Sequence, residues 1–159
     1  MTLEGLNEDF RDLLVLLADA GVEFVIVGAY ALAFHGAPRA SGDIDLFVRP
    51  SPANAQRVFD VLVRFGAPLE SAGVTAADFT SPGTVYQIGL PPRRIDLLTE
   101  ISGLTFDEAW VSRINAEVDG RTIPFIGREA LLKNKGATGR LKDLADAERL
   151  RKRRPADEH

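Results

Sequence analysis

The sequence predicts an α+β fold built on a mixed sheet, and three observations carry that reading. Strand-like segments at 84–89 and 94–99 are joined by Leu90-Pro91-Pro92, a turn with no room for a helix. Asp119-Gly120 sits between two further alternating segments, 113–118 and 121–126, a strong two-residue hairpin signal. The run 24–27 is short, apolar and unbroken, as a strand buried on both faces should be. Hairpins beside helical crossovers argue against a doubly wound parallel sheet.

The elements follow in order. Leu6, Phe10, Leu13, Leu14 and Leu17 recur at helical spacing, so 7–20 reads as an amphipathic helix, with Asn7 as cap and Gly21 as stop. The strand 24–27 stops at Gly28-Ala29, and a short helix over 30–35 closes on Gly36. A small-residue loop leads to a strand over 43–49. Pro50-Ser51-Pro52 is a stop followed by a start, with Ser51 capping a helix over 52–65 that Gly66 ends. Residues 67–83 read as loop, with Thr75 and Asp78 able to cap one turn, and Thr105 with Glu108 makes a capping box for a short helix. The chain ends in helices over 128–137 and 141–151, the second expected to bury a stripe of Leu141, Leu144, Ala147 and Leu150. The charged end, KRRPADEH, is expected to fray.

Length and composition bound the function. At 159 residues the chain is expected to be one domain, 1–159, with a core at about 22–126 and a C-terminal helical segment at about 127–154. It is 45% hydrophobic and 26% charged, ordinary for a globular protein. A net charge of −4 argues against a molecule-wide nucleic-acid binder and leaves room for a local basic patch, such as the run 149–154. Absence of cysteine excludes disulfides, thiolate metal sites and a cysteine nucleophile. No apolar run reaches membrane-spanning length and the N-terminus lacks signal-peptide order, so a cytoplasmic protein with no membrane partner is expected.

The chemistry concentrates in 23–49. Along a strand over 43–49, Asp43, Asp45 and Phe47 share one face while Ile44, Leu46 and Val48 share the other. Two carboxylates on one face repel each other, a cost that a cation between them would remove. A strand that turns at Gly28 into a helix offers unpaired N–H groups to a phosphate. Cradle and carboxylates together point to nucleotide chemistry. A solvated strand end would explain Asp43 and Asp45 as well, but a third acid, Asp96, stands in the otherwise apolar strand RIDLLT. Asp96 has its own structural alternative, an ion pair with Arg93 or Arg94.

Gly28-Ala29, a thirteen-residue spacer and Asp43-Ile44-Asp45-Leu46 resemble the signature of the DNA polymerase β-like nucleotidyltransferases. The segment from His35 to Leu46, with Asp96 and the stretch LLKNKGATGRLKDLAD, resembles a minimal bacterial branch related to the AbiEii-type toxin nucleotidyltransferases of toxin–antitoxin systems. The resemblance implies a palm-like sheet flanked by helices. It implies Asp43, Asp45 and Asp96 as catalytic residues and ligands of Mg²⁺ or Mn²⁺, with an NTP as substrate. It places Gly28, Ala29, Arg39, Ser41, Lys135 and Arg140 against the nucleotide. The sequence departs from the family at Ala29, where glycine or serine is usual; alanine keeps the N–H and loses a hydroxyl contact.

Simpler roles exist for several of these residues. Arg39 and Ser41 would also suit an ordinary turn, and Lys135 and Arg140 a solvated helix face. Asp143 and Asp146 are spaced to pair with Arg140, Lys142 or Arg149, and His35 reads as a packing or capping residue rather than a base. The expected activity is NMP transfer from an NTP to an acceptor hydroxyl on tRNA, protein or a small molecule, with a cognate antitoxin as partner in the toxin case. The alternative is a catalytically inactive nucleotide-binding or regulatory protein on the same fold.

Overall fold

In the computed structural model, which describes residues 6–39 and 42–153, six α-helices pack around one six-stranded mixed sheet. β1 (Phe24–Val27), β2 (Ile44–Val48), β3 (Val85–Ile88), β4 (Ile95–Leu98), β5 (Ile114–Val118) and β6 (Arg121–Phe125) lie in the spatial order β3-β4-β2-β1-β6-β5. β1 is antiparallel to β2 and parallel to β6, while β2 is parallel to β4. The hairpins β3–β4 and β5–β6 form the two edges. The helices are α1 (Glu8–Asp19), α2 (Gly28–Phe34), α3 (Pro52–Phe65), α4 (Phe106–Ser112), α5 (Arg128–Ala137) and α6 (Leu141–Arg151).

Local chemistry sets these boundaries. Asn7 accepts from the Asp9 and Phe10 N–H groups at the start of α1. Ser51 caps α3, and Thr105 with Glu108 forms the capping box of α4. Thr75 and Asp78 make a second box over a single 3-10 turn, Ala76–Phe79. Asp119 and Gly120 both take positive φ, 50° and 79°, as a two-residue hairpin turn demands. One element starts earlier than its sequence suggests: α2 begins at Gly28 rather than at 30, so the strand turns straight into the helix at the glycine.

Strand alternation divides the core into two layers. Tyr86 and Leu97 are register partners, and the Tyr86 ring meets Phe79 of the 3-10 turn beside α3, with α1 packed on α3. The other face carries Asp45 and Phe47, and Phe47 meets Phe106 of α4 edge-on with centroids 5.1 Å apart. Among the described residues no helix is long and apolar enough to cross a membrane.

The expected stripe of α6 is half wrong. Ala147 and Leu150 are buried, but Leu141 is 85% exposed, and Asp143 and Asp146 are 3% exposed in its stead. The helix is rotated because its aspartates find cations inside: Lys135 Nζ lies 3.0 Å from Asp143 and 3.3 Å from Asp146. With cations there to meet them, the two aspartates are buried and Leu141 and Leu144 are left toward the surface.

Asn54 in α3 ties together the outer ends of β1 and β2. Its Oδ1 accepts from the Glu23 N–H at 2.8 Å, and its Nδ2 donates to the Glu23 and Arg49 carbonyls at 3.0 and 3.1 Å. The side chain is buried, so its loss leaves the Glu23 N–H without a partner and takes one of two donors from each of the Glu23 and Arg49 carbonyls. Asn54→Ala is expected to lower the unfolding free energy by about 2–4 kcal/mol in urea titrations without changing the m-value.

Candidate active site

The parallel register of β2 and β4 makes Ile44 the partner of Ile95 and Asp45 the partner of Asp96. Asp43 precedes Asp45 by two residues, and Arg94 precedes Asp96 by two. Four side chains therefore form a square on one face of the ladder, with Asp43 and Asp45 along one strand and Arg94 and Asp96 along the other. Arg94 grips Asp96 with two hydrogen bonds, Nε to Oδ1 at 2.7 Å and a terminal nitrogen to Oδ2 at 3.2 Å. The same terminal group lies 3.5 Å from Asp43 Oδ2, and the Arg94 backbone N–H donates to Asp43 Oδ1 at 3.0 Å. Asp43 and Asp96 are thus turned toward Arg94, and among the described residues no three acidic or histidine side chains close into a ready metal cage.

Among the described residues Asp45 has no such partner. Burial, then the charge and hydrogen bond of Asp96, with a smaller push from Asp43, raise its pKa to about 6 against the opposing charge of Lys135. Gly28 lies directly over it. A Cβ at Gly28 would collide with the Asp45 carboxylate, and the backbone there has φ +69°, so glycine is required on two counts.

Asp45 and Gly28 sit in the floor of a cleft of about 570 Å³. Its walls come from the segment after β4, including Glu100 and Ser102, and from the α5–α6 pair, including Asn134, Lys135 and Arg140. Lys135 is 6% exposed, held by Asp143 and Asp146, and the first of these also accepts from Arg140 Nε at 2.7 Å. Burial would raise the Asp143 carboxyl, but Lys135, Thr138 and Arg140 more than reverse it and hold it low. Arg39 approaches the same Asp146 oxygen, Oδ2, to 3.2 Å, while Arg149 donates to Asp146 Oδ1 and to the Ala37 and Pro38 carbonyls. This network fastens α6 to the loop that leads into β2.

Of the residues singled out in the sequence, Gly28, Asp45, Lys135 and Arg140 line the cleft, with Asp43 and Asp96 beside Asp45. Ala29 is buried in the first turn of α2. Arg39 faces Asp146 and is not part of the cleft wall, and Ser41 lies outside the described residues. His35 is buried, its Nε2 donating to the Ile126 carbonyl at 2.8 Å, and burial lowers its pKa, in keeping with a packing role. Arg149, within the basic run of the C-terminus, is engaged structurally. Glu100, Ser102 and Asn134 were not visible as site residues. Asn134 Nδ2 donates to the Ser102 carbonyl at 2.9 Å, and Gly103 lets that segment approach α5, where a Cβ would strike Ala137. A glycine shortly after an acid-bearing strand was the available signal.

The raised Asp45 pKa has a consequence for stability. Below about pH 3 the carboxyl is protonated in folded and unfolded chains alike. As pH rises toward 6 the unfolded chain ionises first, so the folded state loses stability across that window. Asp45→Asn is therefore expected to raise Tm at pH 7.5, by the equivalent of about 1–3 kcal/mol, with the gain falling below about 1 kcal/mol near pH 4. Thermal melts across pH 4–8 check this, and a pH-independent difference would contradict it.

Three solved structures share the fold. A lincosamide antibiotic adenylyltransferase, LnuA, seen with lincomycin bound, superposes with a TM-score of 0.58 at 15% identity, over 92% of this chain and 98% of that one. The antibiotic-resistance factor ANT(2'')-Ia gives 0.56 at 12% identity, over 89% and 80%. A Thermotoga maritima protein described as a nucleotidyltransferase gives 0.54 at 18%, over 90% and 88%. No curated protein matches the chain by sequence. Over residues 6–155, however, the sequence matches the family described as "Nucleotidyl transferase of unknown function (DUF2204)", and the chain belongs to that family.

Proposed function

We propose that this chain transfers NMP from an NTP to an acceptor hydroxyl. The observation that carries the reading is the placement of Asp45 under Gly28 at the floor of a cleft that also presents Lys135 and Arg140, with Asp96 beside Asp45 on the next strand. Asp43, Asp45 and Asp96 fit a divalent cation, Mg²⁺ or Mn²⁺. Their donors are hard oxygens, and Asp45 is desolvated, repelled by its neighbours and, among the described residues, makes no direct ion pair. Such an ion, when bound, would neutralise phosphate charge and favour ionisation of the acceptor hydroxyl.

The chain's own residues do the rest. Lys135, fixed by two buried aspartates, and Arg140 supply positive charge for the phosphates, joined by the N–H groups of Gly28 and Ala29. Arg39 acts through Asp146, as a positioning residue for Lys135, rather than on the nucleotide; Ser41 keeps its assignment by resemblance. The acceptor oxygen forms a bond to the α-phosphorus as the bond to pyrophosphate breaks. Asp96 receives the hydroxyl proton and pyrophosphate carries the electron pair away.

For the acceptor, the fold shared with a lincosamide antibiotic adenylyltransferase and an antibiotic-resistance factor supports a small molecule. The resemblance to AbiEii-type toxins keeps tRNA, with a cognate antitoxin, as the other class, and a cytoplasmic setting suits both. A second reading, a nucleotide-binding protein without turnover, is favoured by one observation, the engagement of Asp43 and Asp96 by Arg94.

Incubation with each labelled NTP, Mg²⁺ or Mn²⁺, and total RNA or lysate identifies the acceptor. Asp96→Ala is expected to keep Mg·NTP affinity within a few-fold and reduce transfer about a hundredfold or more, whereas Asp45→Ala loses both. Wild-type protein that binds Mg·NTP yet labels nothing and releases no pyrophosphate would establish the second reading.

A further inference from the structure

Arg94 occupies the corner of the carboxylate square, and its position there is specific. Its register places it opposite Asp43 across the β2–β4 ladder and on the same face as Asp96. A planar guanidinium matches a carboxylate in two parallel hydrogen bonds, and Arg94 makes that match with Asp96 while also reaching Asp43. The oxygens it holds, both of Asp96 and Oδ2 of Asp43, are the ones those residues would offer to a cation. Asp96 is 7% exposed, so its charge is costly without a partner, and Arg94 supplies it. The Arg94 side chain itself is 27% exposed, which leaves the guanidinium a path to solvent.

We propose that Arg94 is the internal counter-ion of the carboxylate site and competes with the divalent cation for Asp43 and Asp96, leaving these oxygens when the cation takes them. The inference rests on the carboxylate–cation reading above. It accounts for two facts together: the carboxylates share one face, yet two of them point at an arginine and not at a common centre. Released from Asp96, the guanidinium remains tethered one strand position from the reacting groups. Cation binding thereby adds a mobile positive charge to the site.

Simple repulsion between Arg94 and a cation would also weaken binding, so the test must separate repulsion from competition. Arg93 provides the control, because it is exposed, carries the same charge and immediately precedes Arg94. Mn²⁺ affinity is measured by calorimetric titration and by the Mn²⁺-dependent rise in Tm, with no nucleotide present, for wild type, Arg94→Ala, Arg94→Lys, Arg93→Ala and Asp45→Asn. Competition predicts about tenfold tighter binding for Arg94→Ala and a clear, smaller gain for Arg94→Lys, which keeps the charge and loses the two-pronged grip. Arg93→Ala should change affinity less than about twofold, since an exposed charge is screened. Arg94→Lys binding as wild type does, or Arg94→Ala binding no tighter, overturns the inference while leaving the site intact, provided that Asp45→Asn loses the ion. If wild type binds no Mn²⁺, or Asp45→Asn binds it equally well, the carboxylate reading fails and the inference with it. Should the Arg94 variants not fold, the ¹⁵N-labelled Arg94 Nε–H resonance of the wild-type protein decides. It should shift on saturation with Mg²⁺, and an unchanged resonance overturns the proposal.

Discussion

The site depends on the parallel pairing of β2 with β4. Asp45 lies beside Asp96 because Ile44 lies beside Ile95 and Leu46 beside Leu97 on the opposite face, all at most 2% exposed. A slip of one residue would carry both apolar pairs out of the core and send the acids to the wrong side of the sheet. Each of these side chains contributes about 1.5–3 kcal/mol by burial, so together they outweigh the repulsion between neighbouring carboxylates. Hydrophobic register, more than any polar contact, holds two like charges together. Gly28 completes the arrangement by leaving Asp45 room that any side chain would fill.

A second charged assembly stands opposite the first and is built on the reverse principle. In the carboxylate square, acids exceed cations and Asp45 is left reluctant to ionise. Around Lys135, two buried aspartates meet Lys135, Arg39, Arg140 and Arg149, and every member has a partner of opposite sign. Buried ion pairs of this kind contribute more to definition of geometry than to net stability. Their effect is to fix the direction of a lysine ammonium across the cleft from Asp45. One assembly is left wanting positive charge; the other holds such charge in a set place.

Much of this architecture was legible in the residues. Caps at Asn7, Ser51 and Thr105, the stops at Gly21 and Gly66, and the Asp119-Gly120 turn each act within a few residues, so pattern alone located them. The alternation of 43–49 placed Asp43 and Asp45 on one face, and the resemblance singled out Asp96. What pattern could not supply was long-range charge. Leu141 and Leu144 looked like core because hydrophobicity was the only local signal, while the partners that draw Asp143 and Asp146 inward sit on α5 and in the loop before β2. Glu100, Ser102 and Asn134 escaped for the same reason, since their place is set by how α5 docks and not by spacing. Pairing of Arg94 with Asp96 was foreseeable from proximity, but its reach to Asp43 required knowing which strands are neighbours.

The fastening of α6 bears on the order in which the molecule is completed. Arg149 reaches back 111 residues to the Pro38 carbonyl, and Lys135 acquires its two counter-charges only from 143 and 146. The Lys135 pairs are local, but the Arg149 contact is distant along the chain and closes late, after local helices and hairpins have formed. Pairing of β2 with β4 sets the acids in place, whereas the position of Lys135 over them depends on the docking of the α5–α6 pair. The two halves of the cleft come into register only when α6 has docked on the loop before β2, so the last helix of the fold is also the one that completes the site.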